Sequence, residues 1–248
     1  MAALASLFLL TACGGDDTSP DDGAGDDGSG TNELHAAYAE FADDFNIYLD
    51  GDEVVIETDG LPNHESPYWS PGHDLYVEPT VADPDEIAPG YIDEFNGSYT
   101  LRVPVNPEKA SSTSSTGLGA IGIAVSGSVI YNDEEGPNVP LDNAASGLDF
   151  NGAHTGPQSY HYHLEPKAWS DDDENLIGVI SDGFFLYGRK CNSTGTYPTD
   201  LDASGGHTHT TQHSTEAEYH YHIQNELYLN QYYILFPGDY QGTPNAIQ

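Results

Sequence analysis

Tyr160-His161-Tyr162-His163 recurs residue for residue as Tyr219-His220-Tyr221-His222, and the backbone these tetrapeptides require decides the fold class. On a strand, side chains alternate between faces, and residues i and i+2 share one face about 6.5–7 Å apart. Each tetrapeptide thus turns its tyrosines one way and its histidines the other. Tyr is β-favouring and packs well in a core, so the pattern predicts strands with Tyr packed inward and His presented to a site. A third His-x-His element, His207/His209, lies between them. Two such strands side by side offer four imidazoles to one point. The two tetrapeptides are therefore expected to meet, on neighbouring strands or strand ends.

Working outward, Asn46–Leu49 and Glu53–Glu57 are β-prone runs flanking an Asp50-Gly51-Asp52 turn signal, which predicts a hairpin. Further predicted strands are Tyr99–Val105, Ala120–Tyr131, Leu176–Ser181, Phe184–Tyr187, Glu218–Ile223 and Tyr232–Phe236. Leu34, Ala37, Tyr38, Phe41 and Phe45 fall at helical spacing and predict a short N-terminal helix. Ser111–Gly119 and Asp171–Asn175 read as loops, as does the Gly-Gly-His-Thr-His-Thr-Thr stretch around His207 and His209. The surroundings of the two tetrapeptides look dissimilar, so no repeat architecture is expected. The fold class is mainly β: a single β-rich domain over residues 32–248, sandwich-like or of irregular sheets, with long loops.

Composition sets the functional limits. The 248 residues include 41 acidic and 5 basic side chains, for a formal net charge of −36. Nucleic-acid binding is excluded as a reading, because it needs a basic footprint to neutralise phosphates. Docking on anionic lipid by charge is disfavoured for the same reason. A salt-rich environment, where screening blunts self-repulsion, and an acidic surface serving solubility are both compatible with this balance. Gly (27) and Pro (16) are in excess, which favours strands and loops over a helix bundle.

Ala2–Ala12 is a short apolar run, too brief to span a membrane. It reads as the apolar part of a signal peptide over residues 1–12, although no Lys or Arg precedes it. Leu10-Thr11-Ala12-Cys13 resembles the lipobox of bacterial lipoproteins, which implies lipidation of Cys13. Residues 13–31 then form an acidic flexible linker, with six Asp and no large apolar residue between Gly14 and Gly30. The expected location is exported and anchored to a membrane through that lipid alone. With Cys13 so used, Cys191 is the only other thiol and no internal disulfide forms. A metal site is accordingly expected to consist of nitrogen and oxygen ligands.

Eight of the eleven histidines lie between His154 and His222. Imidazoles on one strand face can converge on an ion at nitrogen–metal distances near 2.0–2.1 Å. His161, His163, His220 and His222 are the leading candidate ligands, with His154 and His64 next; His64 follows a rigid Leu-Pro-Asn turn. His207, His209 and Asp182 are candidates for a supporting role. Asp182 could orient a histidine, act as a base, or occupy a β-bulge, the last being favoured. Imidazole suits several transition metals, and zinc or copper(II) is the expected ion.

The same residues resemble the YHYH protein family, named for the tetrapeptide. Asp59–His64, Gly122–Asn132, Tyr160–His163, Ile177–Gly188, Leu201–His207 and Glu218–His222 with Tyr232–Phe236 correspond, in order, to its sequence elements. The chain departs from the pattern in lacking Cys near the first and third elements, in having Ser126 where Asn is usual, and in Ser181-Asp182 replacing an apolar-Asp pair. The resemblance implies an exported or membrane-attached protein and supports metal binding without supplying a reaction.

Three functions fit: a lipoprotein that sequesters or hands on a transition metal, a metal-dependent hydrolase with an open coordination position, and a Tyr-rich surface interaction module. No familiar catalytic motif is present, so whether the protein is an enzyme stays open at this point, as does any protein partner. A closed four-ligand centre would favour the first function, and a three-ligand centre facing a cleft the second.

Overall fold

Alternation of apolar and polar residues across an Asp-Gly turn builds the first hairpin. Strands β1 (Asn46–Asp50) and β2 (Glu53–Thr58) pair antiparallel, with Gly51 at φ 67° in the turn. Strand β3 (Tyr99–Pro104) adds to β2, completing a three-stranded sheet. The computed structural model describes residues 33–80, 90–156 and 159–248. The expected signal peptide, the expected lipidation site Cys13 and the expected linker lie outside them. Asn32–Gln248 forms one compact unit, and the described residues are mainly β.

The second sheet carries the histidines. Its strands are β4 (Gly122–Ala124), β5 (Val129–Ile130), β8 (Ala153–Thr155), β9 (Tyr160–Tyr162), β10 (Leu176–Ile180), β11 (Phe185–Tyr187), β12 (Gly206–His209) and β13 (Glu218–His222). They run in the order β12-β13-β11-β10-β4-β5-β9-β8. A small β6–β7 hairpin (Glu134–Gly136, Val139–Pro140) stands outside both sheets.

That order is a duplication. β4-β5-β9-β8 and β10-β11-β13-β12 have the same topology: an antiparallel hairpin, a parallel step, then an antiparallel partner. The halves join where β4 meets β10 antiparallel, with Ile123 opposite Val179, Gly122 opposite Ile180 and Ala124 opposite Gly178. Local hydrogen bonds repeat as well. Ala124 N–H donates to Ser128 O as Ile180 N–H does to Phe184 O, both at 2.9 Å. Val125 N–H donates across the junction to Ile177 O (2.9 Å), and Ser181 N–H to Ile121 O (2.8 Å). The sequence therefore contains a repeat: Ile121–Asn132 answers Ile177–Gly188, and Leu148–Thr155 answers Leu201–Thr208. The expectation of no repeat is corrected, because insertions between matching segments hide the match from a single-offset comparison.

Other expectations shift with it. Ala120–Tyr131, read as one strand, is the β4–β5 hairpin, turned at Gly127 (φ 119°). The stretch around His207 is strand β12 rather than a loop. Tyr232–Phe236 is not a strand and contributes only the isolated Leu164–Ile234 and Tyr228–Tyr232 bridges. The N-terminal helix is a 3-10 turn over Ala36–Glu40, because Phe41 is extended at its C-cap.

Two apolar layers sandwich the large sheet. On one face Tyr160, Tyr162, Ile130, Ile180, Leu186 and Tyr221 pack with Tyr68, Trp69 and Phe236. On the other, Ile123, Val129, Val179 and Phe185 meet Val54, Ile56, Leu101 and Val103 of the small sheet. His161 pairs with Val129 in register, and His222 with Tyr187, so the histidines share the small sheet's face. They lie on the strands at the two ends of the large sheet.

Candidate metal centres

Register places the imidazoles. In the first half His154 lies opposite His161 on β8 and β9; in the second, His207 lies opposite His220 on β12 and β13. The i+2 histidines, His163 and His222, complete each set. Two groups result: His154, His161 and His163, and His207, His220 and His222 with Cys191. Within each, one ligand atom per residue lies within 4.8 Å of every other. All seven residues are buried. These buried groups could hold a metal ion.

The tetrapeptides do not share a site. Strands β5, β4, β10 and β11 separate β9 from β13. The expectation that all four tetrapeptide histidines converge is corrected: the parallel steps place each tetrapeptide next to a hairpin of its own half.

Five of the six rings are oriented from behind. His161 Nδ1 donates to Ser159 O (3.0 Å) and His163 Nδ1 to Asn132 O (2.7 Å). In the second half His220 Nδ1 donates to Glu218 O (3.0 Å), His222 Nδ1 to Gly188 O (2.7 Å) and His207 Nδ1 to the Asp200 carboxylate (2.9 Å). An acceptor oxygen at Nδ1 fixes the proton there and leaves the Nε2 lone pair facing the group. His207 Nε2 and His222 Nε2 stand 3.2 Å apart, and His154 Nε2 and His161 Nε2 3.1 Å. The His207 and His222 lone pairs repel at that distance unless a proton or cation lies between them. His163 Nε2 is buried without a hydrogen-bond partner, a costly state for a polar atom.

Burial, the largest cause in each, also keeps five of these rings neutral. It lowers His154, His163 and His222 to about 4 and His220 to about 3; His161 falls well below its ordinary value. Neighbouring imidazoles push His154, His161 and His220 further in the same direction. A neutral imidazole is the form that binds metal.

The surroundings of the groups differ. Glu135 Oε1 lies 3.4 Å from both His154 Nε2 and His163 Nε2, and burial raises its carboxyl pKa. That group opens on a cavity of about 470 Å³ lined by Leu118, Tyr131 and Glu135 among others. The second group has the buried Cys191 thiol in the corresponding place. Tyr131 stacks on His161 at 3.9 Å, whereas Tyr187 meets His220 edge-on at 5.3 Å.

A second layer holds the tyrosines. Asp149 accepts from Tyr160 OH (2.6 Å) and from Asn151 N–H (2.8 Å) and Ala153 N–H (3.3 Å). Asp202 repeats this with Tyr219 OH, Ser204 N–H and Gly206 N–H. Tyr162 OH bonds Ser126 Oγ (2.7 Å); its counterpart Tyr221 OH donates to Asp182 Oδ2 (2.5 Å).

Residues 98–199 match the family model described as YHYH protein. The match supports the resemblance seen in the sequence. It takes in the first tetrapeptide, Glu135 and Cys191, and ends before the second tetrapeptide. No curated protein and no solved structure matches the chain.

Among the sequence candidates, His154, His161, His163, His220 and His222 lie in the groups, and His207 joins them as a direct member. His64 does not: its Nε2 bonds Tyr162 OH (2.6 Å) and its Nδ1 Glu65 O (2.9 Å), so both nitrogens are engaged beneath the first group. His209 sits at the rim beside Asp200, with 3.4 Å between His209 Nε2 and Asp200 Oδ2. Asp182 occupies the β10–β11 turn, not a bulge, and reaches the second group only through Tyr221. Sequence reasoning missed Cys191, Glu135 and Asp200. Matching the halves would have found two of them, since Glu135 follows Tyr131 by as many residues as Cys191 follows Tyr187.

Proposed function

We propose that this chain is an exported, lipid-anchored protein that binds a transition metal, zinc or copper, through histidine centres. The carrying observation is the convergence of buried imidazoles whose Nδ1 protons are tied to oxygen acceptors, leaving their Nε2 atoms facing one another. Export and anchoring rest on the apolar run Ala2–Ala12 and on Leu10-Thr11-Ala12-Cys13. Among the described residues no helix is long and apolar enough to cross a membrane.

Elemental analysis of protein purified without a metal-affinity tag tests the centres, with titration of zinc and copper(II) into chelator-treated protein. Two equivalents are expected, with His163→Ala and His222→Ala each weakening one by at least tenfold, the scale of changes even to residues that only orient ligands. Binding no tighter than that of His163→Ala would overturn the assignment of the first centre. The anchor is tested by membrane partition of the expressed protein, which Cys13→Ser abolishes if the thiol carries lipid.

A hydrolytic reading has one observation in its favour. The first group faces a cavity, with Glu135 beside two of its nitrogens, an arrangement able to activate a metal-bound water. The Tyr-rich surface module finds less support, since Tyr68, Tyr160, Tyr162, Tyr187 and Tyr221 are fully buried.

A further inference from the structure

Duplication normally yields two copies of the same site, but here the corresponding position carries a carboxylate in one half and a thiol in the other. Glu135 and Cys191 each follow the strand-ending tyrosine, Tyr131 or Tyr187, at the same spacing. Cys191 groups with all three imidazoles of its half, whereas Glu135 lies 3.4 Å from two of its own, those of His154 and His163. The Glu135 side chain is a quarter exposed and borders the cavity, whereas Cys191 is 1% exposed. Cys191 Sγ lies 3.0 Å from Ser193 Oγ, a hydroxyl that can donate to a thiolate.

We infer that the two centres differ in kind: the second is a closed, four-ligand site for a thiophilic ion with Cys191 as thiolate, and the first is a nitrogen–oxygen site with a position open to the cavity. The inference rests on the metal-binding reading and deepens it. Thiolate favours softer ions such as copper(I), zinc and cadmium, whereas imidazole with carboxylate suits harder divalent ions. On binding, the Cys191 S–H bond breaks, a metal–sulfur bond forms and the proton leaves to solvent, so the second centre releases a proton that the first does not. Its ion is held on all sides by buried side chains, while the ion at Glu135 can exchange a ligand through the cavity. The second centre is the one built to retain its ion. The first is built to trade its own, or to present it to a small molecule.

Cobalt(II) and cadmium(II) are the probes, with Cys13→Ser as background so that Cys191 is the only thiol. Two cobalt equivalents are expected, of which one shows a thiolate-to-metal charge-transfer band. Cys191→Ser and Cys191→Ala should each abolish that band, weaken one cadmium site at least tenfold and leave the other unchanged. His163→Ala should remove the other equivalent and keep the band. Glu135→Cys should create a second band, a gain that damage to folding cannot produce. Two bound cobalt ions with no thiolate band, or cadmium affinities untouched by both Cys191 variants, would overturn the distinction while leaving metal binding intact. Binding of neither ion would overturn the parent reading and this one together.

Discussion

The two halves of the large sheet share a frame and differ in what the frame holds. Hairpin, parallel step and antiparallel partner recur, down to equivalent backbone hydrogen bonds in the β4–β5 and β10–β11 turns. So do the Asp149–Tyr160 and Asp202–Tyr219 pairs. Around this frame, Glu135 answers Cys191, Ser126 answers Asp182, and Gly127 sits in a far tighter place than Gly183. Backbone geometry and the orienting of imidazoles from behind are what both halves require. The fourth neighbour of the imidazoles and the acceptor under the inner tyrosine are free to differ.

The largest expected effect concerns what the halves have in common. In metal-free protein the unfolded histidines titrate at ~6.5, while folded His154, His163 and His222 do so at about 4 and His220 at about 3. Between these values the unfolded chain takes up protons that the folded chain refuses, so stability falls as pH drops. At pH 5 each such ring accounts for about 2 kcal/mol at 1.36 kcal/mol per pKa unit. Asp149, raised by burial to about 6, acts oppositely and returns part of this between pH 6 and 3.8. The net is a loss of several kcal/mol between pH 7 and 5, measurable by urea unfolding in the presence of chelator. His163→Gln and His220→Gln should each flatten the slope by about one proton. A flat profile would mean that these rings take up protons as readily in the folded state as in the unfolded one.

The second prediction separates the halves. A Cβ on Gly127 would come within 2.0 Å of Leu61 O, at φ 119°. On Gly183, at φ 93°, its nearest neighbour is Pro107 Cβ at 3.0 Å. Backbone strain alone costs of order 1–3 kcal/mol. Gly183→Ala should stay near the lower end, about 1 kcal/mol. Gly127→Ala adds a clash with backbone and should cost about 3 kcal/mol or more. Equal costs in chemical denaturation would show that the Leu61 segment yields readily.

Much of the sheet was legible in the sequence because its cues are local. The Asp-Gly turn specified β1–β2, and alternation in the tetrapeptides assigned tyrosines to the core and histidines to the opposite face. Pairing between distant strands carries no such cue. The parallel steps from β5 to β9 and from β11 to β13 decide which histidines meet, and they turned one expected site into two. Cys191 went unrecognised because one thiol far from any His-x-His element has no spacing signal. Only the equivalence of Tyr131 and Tyr187 reveals its position. His64 misled for the opposite reason: its rigid turn does aim the ring inward, but at Tyr162 OH.

The smallest effect tests the acceptor under each inner tyrosine. Asp182 takes three donors: Tyr221 OH at 2.5 Å, Gly242 N–H at 2.9 Å and Phe184 N–H at 3.3 Å. Removing a buried carboxylate strands these donors, and hydrogen bonds to a charged group contribute about 1.5–3 kcal/mol each at most. Burial raises the Asp182 pKa, so part of that gain is already offset by desolvation. Asp182→Ala should therefore cost about 3 kcal/mol rather than the sum of three bonds. Ser126 has a single neutral bond to Tyr162 OH, which keeps His64 Nε2 as an acceptor when the serine hydroxyl is lost. Ser126→Ala should cost about 1 kcal/mol or less, the usual net value of one neutral bond. Since Tyr221 lies between His220 and His222, Asp182→Ala should also loosen metal at the second centre, while Ser126→Ala leaves the first nearly unchanged. If Ser126→Ala proved the costlier variant in unfolding and in metal titration, the two inner tyrosines would not be held in the unequal way their partners imply.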